Sequence, residues 1–243
     1  MSGHSKWHNI QKTKGAQDAK RAKIFTKYAR EMAIAIREGG ADPNSNSKLA
    51  AIIARAKSEN VPNDNINRTL QKYQSGAATE NYEYINYEGY GPAGIAVIVE
   101  CLTDNRNRTV ADVRHYFDKY GGNLGTSGSV SWQFKQQGVL IIDGEDLDEE
   151  TVMMQALDAG ASDFNAEDGM FEVYTEPDDF DAVKDALAAQ GLEFVEAQVE
   201  MIPQNGYIKL TDEDDIKNMT KMLDMMDDND DIQNVWHNWE QEE

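Results

Sequence analysis

From residue 24 the apolar positions fall at a four-residue step, so that Ile24, Tyr28, Met32 and Ile36 share one face until Gly39-Gly40 stops the run. This spacing predicts a helix. After Asp42-Pro43 the pattern returns at Leu49, Ile52, Ile53 and Ala56, and Asn60 and Pro62 break it. A third, shorter helix starts near Asp64 and runs through Ile66 and Leu70 to Ser75-Gly76. Residues 1–23 are polar, with Trp7 as the main apolar anchor, and carry too little apolar surface to fold unaided.

Beyond residue 80 the texture changes to β-branched and aromatic runs alternating with helical spacing, which marks a change of class. Residues 95–102 predict an apolar strand, and Thr109-Val-Ala-Asp112 reads as a capping box opening a helix through Val113, Tyr116 and Phe117 to Gly121-Gly122. A strand over 129–135 follows. Residues 138–203 then read as strand (139–142), helix (149–159), two short strands near Asp163 and 171–174, helix (180–189) and strand (194–202). That βαββαβ order is the ferredoxin-like unit. The tail adds a helix over 212–226, whose Met219, Met222, Leu223 and Met226 have core spacing, and a strand over 235–239. The incomplete unit at 94–135 and the incomplete unit in the tail complete one another, with the middle unit inserted between them. The expected fold is therefore α+β and multi-domain. A helical lobe spans 1–78, a central α+β lobe spans 79–136 plus 204–243, and a ferredoxin-like lobe over 137–203 is inserted in the central one, which is itself ferredoxin-like.

Charge changes the picture. The 243 residues carry a net charge of −21, which for a uniform surface argues against phosphate-bearing partners. The distribution is not uniform: residues 1–75 hold 14 Lys and Arg against 6 acids, and residues 76–243 hold 9 against 38. Within residues 1–30, eight basic side chains face the lone Asp18. Lys6, Lys12, Lys14, Lys20, Arg21, Lys23 and Lys27 supply point charges for phosphates, and Trp7 a ring on which a base can stack. The competing reading, a basic arm docked on its own acidic body, predicts ion pairs to that body instead.

Other motifs add less. Arg106 and Arg108 stand at a strand end entering a helix, where free backbone amides favour an anion; the alternative is that Asn107 or Thr109 caps the helix and the arginines pair with carboxylates. The Gly-rich stretch 121–128 follows a helix and precedes a strand, the reverse of a phosphate-binding P-loop, so it suits a helix stop and a tight turn. His4 and His8 stand four apart without Cys or acidic neighbours, so no metal site is expected, and neither a catalytic constellation nor a cofactor motif is recognised. The single Cys101 excludes an internal disulfide, and no apolar run is long enough for a membrane span, so the expected setting is cytoplasmic with no membrane partner.

The stretches Gly3-His-Ser-Lys-Trp7, Lys23-Ile-Phe-Thr-Lys27, Asn60-Val-Pro-Asn-Asp-Asn65, Tyr87-Glu-Gly-Tyr-Gly-Pro92, Asn105-Arg-Asn-Arg-Thr109, Gly121-Gly-Asn-Leu-Gly125 and Val235-Trp-His-Asn238 together resemble the YebC/PmpR family of probable transcriptional regulators. The resemblance implies a three-lobed fold with the third lobe inserted in the second. It also implies a cytoplasmic, DNA-binding regulator of transcription. Relatives related to a mitochondrial translational activator, and bacterial factors acting on ribosomes stalled at proline runs, imply the alternative of an RNA-binding translation factor. Gln11 and Thr13 stand where the family commonly has basic residues, which thins the arm's charge. The sequence thus predicts a non-enzymatic, nucleic-acid-binding regulator, its partner being DNA or ribosomal RNA. A ligand-sensing or scaffold protein is the reading from a different class.

Overall fold

The computed structural model describes residues 17–75 and 80–241, with side chains from residue 23 onwards. In chain order the elements are α1 (Gln17–Gly39), α2 (Ser47–Ser58), α3 (Asn63–Gln74), β1 (Glu83–Tyr90), β2 (Ala96–Thr103), α4 (Arg106–Lys119) and β3 (Asn123–Leu124). They continue with β4 (Phe134–Asp143), α5 (Glu149–Ala159), β5 (Asp163–Glu167), β6 (Met170–Thr175), α6 (Phe180–Ala189) and β7 (Phe194–Pro203). The last are β8 (Ile208–Lys209), α7 (Glu213–Asp227), β9 (Ile232–His237) and β10 (Trp239–Glu240). The chain folds into two compact units, one of Gly15–Ser129 with Thr211–Val235, the other built on Val130–Leu210 with Trp236–Glu243. The three helices share a unit with the first sheet.

In that first unit the helical stripes meet. Tyr28, Met32 and Ala35 of α1 pack on Leu49, Ile52 and Ala56 of α2 and on Val61 and Ile66. Asn46 joins the two helices at their ends: its side-chain oxygen accepts from Leu49 N at 3.0 Å, and its amide donates to the carbonyls of Ala35 and Gly40 at 2.7 Å. The cap thereby satisfies donors at the start of α2 and carbonyls at the end of α1. The sheet runs β3-β1-β2-β9, with β1 and β2 antiparallel from Glu83↔Thr103 to Tyr90↔Ala96. Apart from the half-buried Glu100, β2 is buried along its length, as its unbroken apolar run requires. Met219, Met222 and Met226 of α7 are fully buried, in keeping with core spacing.

The second unit is the ferredoxin-like one. Its sheet order is β5-β6-β4-β7 with every pair antiparallel, and α5 and α6 close over Leu140, Ile142, Phe171 and Val173.

Three expectations are corrected. Residues 131–133 form a 3-10 turn, so the strand expected over 129–135 starts only at Phe134 and continues unbroken to Asp143 in the second unit's sheet. The first sheet instead takes β1, a strand that the sequence pattern does not predict. The helix α4 opens at Arg106, three residues before the expected capping box, because Asn105 is the cap and accepts from Arg108 N at 3.1 Å. Thr109 lies inside the helix, and its hydroxyl is used elsewhere.

Candidate nucleic-acid interface

The basic arm leads into α1. Lys6, Trp7, Lys12 and Lys14 lie outside the described residues, and for Lys20 and Arg21 the backbone alone is described, in the first turns of the helix. Both Lys23 and Lys27 reach across to the C-terminal segment. Lys23 Nζ lies 2.5 Å from Asp228 Oδ1 and donates to the Asp227 carbonyl at 3.0 Å. The last turn of α7 carries no basic residue, so Asp227 and the adjoining Asp228 sit at the negative end of the helix dipole, and the Lys23 ammonium offsets that repulsion. Lys27 Nζ donates to the Gln233 carbonyl of β9 at 2.7 Å. Burial pushes this ammonium below the ordinary lysine range, against the opposing pull of Asp227.

One turn further along α1, Arg30 enters a buried polar cluster around Asp231. The Asp231 side chain is 4% exposed and accepts from Arg30 at 2.6 Å, from Arg108 Nε at 3.1 Å and Nη2 at 2.7 Å, and from Thr109 Oγ1 at 2.8 Å. Thr103 Oγ1 lies 3.2 Å away, and Arg30 also donates to the Leu102 carbonyl at 2.8 Å. Desolvation alone would raise the Asp231 carboxyl. The hydrogen bonds from Arg108, Arg30 and Thr109 outweigh it and hold the group below its ordinary range. The cluster uses the strand-to-helix turn that the sequence singles out for an anion, and the anion it holds is the chain's own carboxylate.

The two arginines of that turn part company. Arg108 is bonded to Asp231 and to Asp104 at 2.9 Å, whereas Arg106 is 65% exposed, with Glu83 Oε2 at 3.9 Å as its nearest acid partner. Gly121, at φ +83, follows the end of α4, and Gly122 sits so close to β1 that a Cβ would lie 2.4 Å from the Tyr90 carbonyl oxygen. These glycines serve a helix stop and a close backbone approach.

No group of three or more His, Cys, Asp or Glu is placed to hold a metal ion among the described residues. Burial drives the Cys101 thiol up to about 12, which makes it a poor nucleophile. No described helix is long and apolar enough to cross a membrane.

The class these features define is an α+β protein with a helical N-terminal segment fastened to its first sheet through lysine and arginine side chains. Residues 5–76 match the model of the TACO1/YebC protein N-terminal domain, and residues 82–239 that of the TACO1/YebC second and third domain. The chain belongs to the TACO1/YebC family. It is 57% identical over 244 residues to a probable transcriptional regulatory protein of Ruminiclostridium cellulolyticum, covering 100% of this chain and 98% of the relative. It is 54% identical to a protein of the same description from Finegoldia magna, over the full length of both. A crystal structure of a conserved hypothetical protein from Aquifex aeolicus superposes with a TM-score of 0.79 at 38% identity, covering 93% of each chain.

Proposed function

We propose that this protein is a non-enzymatic regulator of gene expression that binds nucleic acid in the cytoplasm through Lys6, Trp7, Lys12, Lys14, Lys20 and Arg21. The observation that carries the proposal is the segregation of charge, eight basic side chains against one acid within residues 1–30 of a chain whose net charge is −21. The acidic excess of residues 76–243, 38 acids against 9 Lys and Arg, disfavours phosphate over most of the chain and directs the main contact to that segment. Lys23 and Lys27 serve the interface indirectly, since their bonds to α7 and β9 fix the helix that presents the arm. Arg106, exposed beside β1, is a secondary anion contact.

The description of the relatives as probable transcriptional regulatory proteins supports promoter DNA as the target. A second reading is RNA on or near the ribosome, which an arm of lysines with Trp7 as a stacking ring suits as well as it suits DNA.

The test is a charge-reversed chain, Lys12→Glu, Lys14→Glu, Lys20→Glu and Arg21→Glu together, titrated against duplex DNA and structured RNA. Loss of binding supports the assignment, and unaltered affinity refutes it. Sedimentation of the wild-type chain in lysate then separates the targets: comigration with ribosomes that RNase abolishes and DNase does not places the function in translation, and the reverse places it in transcription.

A further inference from the structure

Between α1 and α3, and entirely within the first unit, lies an open groove of about 320 Å³ whose walls include Phe25 and Arg30 of α1, Arg68, Lys72 and Tyr73 of α3, and Tyr82 ahead of β1. No Asp or Glu is among the described residues that line it, although the chain holds 44 acids. Three cations and three aromatic rings converge there instead.

The cations differ in how they are held. Arg30 is fixed at the floor by Asp231 and the Leu102 carbonyl, and its guanidinium lies over the Tyr82 ring at 5.2 Å, so its position is set in advance. Lys72 stands at the rim, pairing with Glu80 at 2.6 Å and lying 5.6 Å from the Tyr73 ring centre. Arg68, one helical turn before Lys72, is exposed and has no ion-pair partner among the described residues. Tyr73 and Tyr82 are both half-buried and line the groove.

We infer that this groove takes an unpaired nucleotide, its phosphate on Arg68 and Lys72 and its base against Tyr73 and Tyr82. A rigid aromatic wall beside a free, planar guanidinium is the arrangement that single-strand sites use, because every base offers a π-face and every phosphate a bidentate partner for arginine. A duplex offers no unstacked base for such a wall. The inference rests on the proposal that the chain binds nucleic acid, and it adds a second contact, specific to single strands, beside the arm.

The experiment uses the full chain and fluorescent 12-nucleotide oligouridylate, oligothymidylate and a mixed-sequence DNA duplex. Arg68→Ala and Tyr73→Leu each weaken the single-strand probes by about tenfold, the size expected on removing one stacking or charged partner, and leave the duplex unchanged. Arg68→Lys, an exposed and charge-conserving change, recovers part of the affinity. RNA and DNA probes weakened alike mean that base and phosphate alone are read, and weakening confined to oligouridylate means that the 2′-hydroxyl is read too; both support the site. Ultraviolet crosslinking of a 4-thiouridine oligonucleotide places adducts on the peptide carrying Tyr73 or Tyr82. Single-strand affinities unchanged in both variants, with no adduct on these peptides, overturn the groove while the charge-reversed arm variant still decides the arm. Wild-type chain that binds none of the probes overturns both.

Discussion

Arg30 and Asp231 stand 201 residues apart in the chain and meet at 2.6 Å, the arginine side chain 13% exposed and the aspartate 4%. Through this one carboxylate the N-terminal helix, the turn after β2 and the loop before β9 share a hydrogen-bond cluster. The segment Asn105-Arg-Asn-Arg-Thr109 contributes Arg108 and Thr109 to it. Asp231, with the bonds of Lys23 and Lys27, holds α1 to the C-terminal segment, and on the proposed function this steadies the root of the arm.

Removing Asp231 therefore strands two guanidinium groups, one of them buried. Asp231→Ala is expected to lower stability by about 3 kcal/mol, toward the lower end of the range for breaking a buried pair because Arg108 is 46% exposed and keeps solvent and Asp104 as partners. Urea unfolding of the variant against wild type measures it, and a loss below about 1 kcal/mol would show that the cluster does not hold the helix.

The same carboxylate sets a pH dependence. Its folded pKa is depressed below the ordinary 3.8, so the unfolded chain takes up the proton first. The contribution is fully present above the unfolded value and is lost as pH falls through the folded one, with the decline starting below about pH 5. Melting temperature followed from pH 6 downward should fall more steeply for wild type than for Asp231→Asn, which has no carboxyl to protonate; parallel curves would refute this role.

Close approach at the end of α4 makes a separate prediction. Gly122→Ala places a methyl group 2.4 Å from the Tyr90 carbonyl oxygen and 3.0 Å from Gly91 Cα, both backbone atoms, and should cost about 3 kcal/mol. Gly121→Ala meets nothing within 4 Å but must adopt φ +83, which costs about 1 kcal/mol. Thermal or urea denaturation of the two variants should keep that order, and a reversed order would mean that the backbone around Gly122 relaxes freely.

What the sequence shows and what it hides follow from range. The helices over 24–74 are legible because each buries a stripe whose spacing repeats within one turn, and the Met219, Met222 and Met226 stripe is legible for the same reason; residues 17–23, expected to be too poor in apolar side chains to fold unaided, instead form the first turns of α1. The ferredoxin-like unit is legible because its strands and helices alternate in order. By contrast, β1 mixes Glu83, Asn86 and Glu88 with tyrosines and ends in Gly89-Tyr-Gly-Pro92, so its strand character comes from pairing with β2 and β3 rather than from its own apolar content. Asp231 looks like any other acid in a tail crowded with them, and nothing local marks it as the partner of Arg30 and Arg108. Lys23 and Lys27 read as arm residues on charge alone, and only the fold shows that both are bonded to the C-terminal segment.

That difference among lysines gives the sharpest test of the arm. Each phosphate left without its cation in a complex with B-DNA reduces the slope of log affinity against log salt by about 0.9, and by about 0.7 for a single strand. Lys20→Gln should lower the slope by that step. Lys27→Met should not, because the Lys27 ammonium is largely withdrawn from solvent and is held by the Gln233 carbonyl. The methionine keeps the apolar stem and removes a charge that burial already disfavours, so stability should change by no more than about 1 kcal/mol, whereas Lys27→Glu, which sets a buried carboxylate near Asp227, should cost about 3 kcal/mol or more. Salt titrations of Lys20→Gln and Lys27→Met against one nucleic-acid probe decide the matter: equal slope changes would mean that Lys27 leaves its place on β9 when the target binds, and the arm would then extend through the first turns of α1.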